Sequence, residues 1–438
     1  MKEQPLIAVY GLWHLGCVTA ASLSQAGFQV WGLDEDATVI ERLKAGQPPI
    51  FEPGLAELIG ESQANGNLHF TTDVNQALKV ADILWVAFDT PVDEQDRADV
   101  GYVEQQLEAV YPYLATNCII IISSQLPVGS TTRLKERWSK HTPVKSLVYC
   151  YSPENLRLGN ALKSFRAEDR IVVGLDGDKG RELIGYVLGK FCPRLEWMSV
   201  SSAEMTKHAL NSFLAVSVAM INEIARLCEV TGADAKEVER GLKSEARIGP
   251  KSYLGPGGPF AGGTLARDLR FLTELGTTFG LETPLLSGTL ASNEIHKGWV
   301  QQAAASLLED LPKPAQVTIL GLSYKAGTDT LRRSEAVSLA LWLNDNYQAE
   351  IRFHDPVASS LPEELARRFS LTANLETALA GADLLIVATG WPQYREQINP
   401  EVLGKNMRRP AVIDQNRYLV EQVGLLKNIP YLAVGKPR

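Results

Sequence analysis

The sequence predicts an α/β protein with two Rossmann-like, doubly wound domains joined by a central helical domain that contains a long helix. Three observations predict it. Short apolar runs alternate with amphipathic helical stretches in the first and last parts of the chain. Between those parts a helical pattern runs from Ala203 to Val230 without a proline. A glycine-bearing turn follows the first apolar run, as a dinucleotide-binding βαβ unit requires.

Taken in order, Leu6 to Tyr10, Gln29 to Leu33, Ile83 to Ala87, Ile119 to Ser123 and Lys145 to Tyr149 read as buried parallel strands. Arg170 to Gly174 reads as a further strand that closes the first domain, assigned to residues 1–200. The long helix opens a helical and dimerising domain, 201–312, with Gly232 as its stop signal. A Gly/Pro-rich loop, Gly249 to Gly263, precedes a second helical region. The segment Leu311-Pro312-Lys313-Pro314 marks a boundary, and a third domain, 313–438, follows. Its expected strands are Val317 to Leu322, Glu350 to His354, Leu384 to Ala388 and Ala411 to Ile413.

The 438 residues are too many for one ordinary core. Hydrophobic residues make up 45% and charged residues 21%, which is ordinary globular composition. With a net charge of -8 and no basic run, nothing suggests a nucleic-acid partner. No apolar run reaches membrane-spanning length, and the N-terminus enters a strand pattern without a secretory leader. A cytoplasmic protein is expected. The five cysteines, Cys17, Cys118, Cys150, Cys192 and Cys228, are scattered, as free thiols in a reducing compartment would be. The six histidines form no ligand pattern, so no metal is expected.

The first strand runs into Gly11-Leu12-Trp13-His14-Leu15-Gly16, and Asp34 closes the second strand. In this layout a tight turn aims a helix N-terminus at a pyrophosphate, and the carboxylate accepts from ribose hydroxyls. Asp34 favours NAD over NADP, because a 2′-phosphate would meet its charge. Trp13 stands where the fingerprint has its middle glycine. Its indole either blocks the phosphates or swings aside, so a Rossmann-like domain without cofactor is the alternative reading.

Further motifs follow in order: Ile50-Phe51-Glu52-Pro53-Gly54-Leu55, Thr90-Pro91 with Asp99, Leu126-Pro127-Val128-Gly129, and Ser152-Pro153-Glu154-Asn155-Leu156-Arg157. Then come Asn211 to Ala215 leading to Ile221-Asn222-Glu223, and Gly321 to Lys325 with Thr328-Asp329 and Arg332. Together they resemble the UDP-glucose/GDP-mannose dehydrogenase family over nearly the whole chain. The resemblance implies a homo-oligomer, at least a dimer through the long helix. It implies oxidation of a nucleotide sugar, with a UDP-sugar favoured, in polysaccharide precursor synthesis. In that family the C6 alcohol becomes a carboxylate, and two hydrides pass to two NAD⁺. A base serves the first half, and a thiolate traps the aldehyde in the second.

For the first half, the resemblance places Lys207 and Asn211 at the reacting sugar carbon. They lie four apart and share one helix face, which would otherwise be an ordinary solvated face. It places Asp268 at the catalytic water, Glu154 opposite, and Thr90, Pro91 and Gln125 beside the cofactor, Gln125 standing at a family Thr. For the second half, Gly255 to Asp268 aligns without a gap to the family's glycine-rich loop. Thr264 then stands at the nucleophilic cysteine and Leu158 at a second family glutamate. A Thr hydroxyl is a poor aldehyde trap without a strong base beside it. Cys150, next to the Glu154 loop, is the candidate substitute thiol.

For the substrate, the resemblance points to Leu156, Arg157, Arg247, Tyr253, Gly257, Lys325 and Arg417. Arg247 matches a residue that reaches a neighbouring subunit. In Asp414-Gln415-Asn416-Arg417 the Arg and Asn have exchanged places relative to the family order. Three functions stand open: a nucleotide-sugar dehydrogenase that halts at the aldehyde or uses another route to the acid, an epimerase-like activity on the same scaffold, and a non-catalytic relative that binds a nucleotide sugar or a partner enzyme.

Overall fold

The computed structural model describes residues 4–91, 98–141, 145–154, 156, 158–166, 169–309, 311, 313–323, 331 and 334–437. They form two compact units, 1–211 and 212–438.

The first unit is built on eight strands: β1 (Leu6–Tyr10), β2 (Gln29–Leu33), β3 (Leu68–Thr71), β4 (Ile83–Val86), β5 (Ile119–Ile122), β6 (Val148–Tyr151), β7 (Ile171–Leu175) and β8 (Leu195–Met198). Their order in the sheet is β3-β2-β1-β4-β5-β6-β7-β8. All neighbours pair in parallel except β6 and β7. The central strands are apolar throughout, because both faces are covered; β5 is four consecutive isoleucines, all buried. One face packs Ile7, Val9, Trp85 and Ile121 against the helix His14–Gln25. The other packs Ala8, Leu84, Ile120 and Ile122 against Leu107 and Leu134. The strand order turns back at β1, between β2 and β4, so a crevice opens beyond their C-terminal ends.

The second unit carries six parallel strands: β9 (Gln316–Leu320), β10 (Glu350–His354), β11 (Ser370–Leu371), β12 (Leu384–Val387), β13 (Val412–Asp414) and β14 (Tyr431–Leu432). Their order is β11-β10-β9-β12-β13-β14. Before them come helices Ala235–Ser244, Arg267–Thr278, Pro284–Lys297 and Trp299–Leu308.

The long helix spans Val200–Thr231, 32 residues, slightly longer than the sequence pattern and ending before Gly232 as expected. Among the described residues no helix is long and apolar enough to cross a membrane. Strand β6 lies further along the chain than the expected Lys145 to Tyr149. Pairing with β5, which sets Ile119 against Val148, fixes its register. Lys145 instead donates from Nζ to the carbonyls of Tyr111 and Pro112 at 2.8 and 2.7 Å. The expected close of the first domain at Gly174 is also corrected, since β8 adds a further strand alongside β7.

Candidate active site

The first cluster of expected residues lies at the end of β1. Gly11 has a φ of 92°, and a Cβ there would meet the Phe88 ring at 2.6 Å. A Cβ on Gly16 would sit 1.8 Å from the Gly11 carbonyl oxygen, so only glycine lets the helix approach the turn this closely. Asp34 accepts from Leu12 N at 2.7 Å and from Asp36 N at 3.1 Å, which fixes its carboxylate beside the turn. Burial raises the Asp34 pKa above its usual value, and the two backbone N–H groups oppose that rise.

Trp13 is the N-cap of helix His14–Gln25 and makes no side-chain cap bond. Half of its surface is exposed, so the indole is not packed away in the core. His14 Nε2 lies 3.0 Å from Glu52 Oε2. Glu52 is buried and also accepts from Gly159 N and Ala161 N, both at 2.8 Å. The glutamate of the Phe51-Glu52-Pro53 motif therefore ties the turn to the segment after Glu154. Leu15 N donates to Asp89 Oδ2 at 3.2 Å. Thr90 Oγ1 donates to the Gln125 carbonyl at 2.8 Å, and the Pro91 carbonyl accepts from Asp99 N at the same distance. A tight turn, a helix start that its own N-cap side chain leaves uncapped and a carboxylate beside the turn suit a dinucleotide, so the residues present fit NAD.

The second cluster lies where β6 ends. Lys207 Nζ donates to the Glu154 carbonyl at 2.8 Å. Lys207 and Asn211 are both buried, which rules out an ordinary solvated helix face. One turn before Lys207 on the same helix face, Glu204 is wholly buried. It accepts from Gly129 N at 2.5 Å, from Thr131 N at 2.9 Å and from Thr131 Oγ1 at 2.7 Å. That carboxylate locks the Pro127-Val128-Gly129 turn to the long helix. Leu156 packs against the first-unit core. Cys150 is fully buried, and burial pushes its thiol far above the usual range, so it does not supply a thiolate.

The third cluster belongs to the second unit. The glycine loop before Thr264 is clamped by side chains. Asn222 accepts from Gly257 N at 3.0 Å and donates to the Gly258 carbonyl at 3.1 Å. His296 Nε2 lies 2.7 Å from the Gly257 carbonyl, and Asn293 pairs with both backbone groups of Phe260 at 2.9 Å. Thr264 is exposed in a π-helical turn, Gly262–Ala266. Asp268, one turn later on the following helix, is wholly buried.

The exchanged residues of the Asp414 segment have distinct places. Asn416 Oδ1 accepts from Gly258 N at 2.8 Å. Arg417, at a φ of 54°, is buried and held by Asp234 Oδ1 at 2.7 Å and the Val434 carbonyl at 3.2 Å. Its guanidinium thus serves an internal ion pair. Arg247 is exposed and pairs with Glu245 at 2.8 Å, and Tyr253 is exposed nearby in sequence. Arg157, Lys325 and Arg332 lie outside the described residues.

Six residues that hold these clusters were not among the expected site residues: Glu52, Asp89, Glu204, Asn222, Asn293 and His296. A buried acid inside a motif was the available signal for Glu52. Nothing in the local pattern singled out Asp89 or His296, because their partners are remote in sequence.

A doubly wound sheet with a fitted dinucleotide turn, together with a buried Lys–Asn pair, defines a nucleotide-dependent oxidoreductase scaffold. Residues 5–191 match the NAD binding domain of the UDP-glucose/GDP-mannose dehydrogenase family. Residues 201–295 match its central domain and 318–421 its UDP binding domain. The chain belongs to this family. It is 30% identical to the UDP-glucose 6-dehydrogenase of Pseudomonas aeruginosa, with 99% of this chain and 98% of that protein covered. A UDP-glucose dehydrogenase structure from Pyrobaculum islandicum superposes with a TM-score of 0.85 at 28% identity, covering 98% of this chain and 97% of that one. A UDP-D-ManNAc dehydrogenase from Pyrococcus horikoshii shares the fold at the same TM-score and 24% identity, covering 98% and 99%. The NAD binding domain makes NAD the cofactor, and the UDP binding domain indicates a UDP-sugar as the substrate class.

Proposed function

We propose that the protein oxidises the C6 hydroxyl of a UDP-hexose with NAD⁺ and releases the aldehyde rather than the acid. The observation that carries the first half is Lys207. It is a buried lysine with its Nζ fixed on the Glu154 carbonyl, and Asn211 lies buried one turn further along the helix. Burying an ammonium and an amide is costly unless they serve a partner. A non-catalytic binder has little use for that pair.

Bound NAD⁺ supplies the hydride acceptor. The chain's own groups manage the proton and the oxygen. The hydroxyl proton passes to water as the hydride leaves, while Lys207 and Asn211 donate toward the sugar oxygen and stabilise the charge that builds on it as C–H breaks. The Glu154 carbonyl holds the lysine in register. For the second half, Thr264 offers a hydroxyl that stays protonated at neutral pH. The buried Cys150 offers no replacement.

The proposed assembly is a homodimer through the long helix. Phe213, Met220 and Leu227 stand exposed at intervals of seven, which makes one apolar stripe along that helix. Sedimentation of the purified protein as a monomer would contradict this.

The activity test is a UDP-hexose oxidation assay. Lys207→Ala should lower turnover by about a hundredfold to a thousandfold, as loss of a transition-state donor does. Retained turnover in that variant would refute the assignment.

A further inference from the structure

We propose that Asp89 is an internal occupant of the pyrophosphate cradle, which the cofactor must displace, and that Asp89 therefore sets the affinity for NAD. The inference rests on the cofactor reading of the first unit. The helix His14–Gln25 begins with N–H groups that have no partner inside the helix. Its N-cap, Trp13, supplies no side-chain acceptor. Asp89 supplies one from outside the helix, through Oδ2 on Leu15 N at 3.2 Å. This is the place where the fold presents backbone N–H groups and a helix dipole to a phosphate.

The residues around Asp89 hold it there. Phe88 packs edge-on against Tyr10 and Tyr102, with ring centroids 4.7 and 5.8 Å apart, and fills the space beside Gly11. Thr90 is tied to the Gln125 carbonyl. The backbone at residue 89 is thus anchored on both sides, and the residue is exposed to solvent. A second carboxylate, Asp34, sits on Leu12 N in the same turn. Both charges reach Cys17: after burial, Asp34 and Asp89 are the causes that push its thiol up. Two fixed negative charges thus converge on the helix start, where a dianionic pyrophosphate would lie. Binding exchanges the Asp89 contact for phosphate contacts and leaves the displaced carboxylate close to like charge.

The test is calorimetric titration of the intact protein with NAD⁺ and, separately, with adenosine, which has no phosphate. Wild type is compared with Asp89→Asn and Asp89→Ala. Each variant should bind NAD⁺ about tenfold more tightly, the effect of one charge at a partly exposed helix start. Adenosine affinity should change by less than about twofold, since its contacts lie away from the carboxylate. Without NAD⁺, Asp89→Ala should melt lower than wild type, because the helix start loses its acceptor, and saturating NAD⁺ should raise its melting temperature more. Unchanged or weaker NAD⁺ binding in both variants would overturn the proposal. Equal tightening of adenosine would overturn it too, because the effect would then not be one on phosphate. No sugar nucleotide or turnover enters the experiment, so it can fail while the dehydrogenase reading stands, and the reverse.

Discussion

His296 shows how one side chain couples the glycine loop before Thr264 to pH. Its Nε2 lies 2.7 Å from the Gly257 carbonyl, while Nδ1 is buried without a partner. The ring therefore donates from Nε2 in its neutral form. Burial lowers its pKa below the usual 6.5, against the pull of the Gly257 carbonyl. Burial lowers the His354 pKa in the same direction. Below pH 6.5 the unfolded chain takes up these protons while the folded chain resists, so the unfolded state binds more of them. Stability should then fall as pH drops from about 7 to about 5. His296→Gln keeps a donor that does not titrate, and should flatten part of that fall in melting temperature. An unchanged pH slope in the variant would show that His296 does not contribute.

At the scale of elements, the long helix organises the first unit through Glu204. That carboxylate satisfies the turn before the helix Ser130–His141 with three hydrogen bonds and is itself wholly buried. Glu204→Ala should cost about 3 kcal/mol, since it orphans buried backbone donors. Denaturant unfolding of the variant should show it, and an unshifted midpoint would contradict it. The same scale explains what the sequence made legible. Interior strands such as β1, β4 and β5 are unbroken apolar runs, because helices cover both faces. The four strands that the apolar pattern did not reveal, β3, β8, β11 and β14, are the edges of the two sheets. Edge strands are short or carry polar residues, such as His69 in β3 and Glu196 in β8, so they lack the apolar signature. The site divides in a similar way. The places of Gly11 and Asp34 in the turn follow from local turn chemistry, and spacing puts Lys207 and Asn211 on one helix face, while the family resemblance supplied the role expected of that pair. Asp89 on Leu15 and His296 on Gly257 were not, because tertiary contacts 74 and 39 residues apart create them.

For the molecule as a whole, the two halves of the family's chemistry stand in contrast. The alcohol-to-aldehyde half has a buried Lys207 with a fixed partner, a buried Asn211 and a fitted cofactor turn. In the proposed reading the aldehyde-to-acid half has Thr264, which is exposed, where a thiolate is needed, and all five cysteines are buried. Without a covalent trap there is no thiohemiacetal to release a second hydride, and no thioester for water to cleave. The decisive measurement is the stoichiometry of the complete reaction: NADH formed per UDP-hexose consumed, with the sugar product trapped by a carbonyl reagent and identified. The account predicts at most one NADH per sugar and a trapped aldehyde. Two NADH per sugar with a uronic acid as product would contradict it.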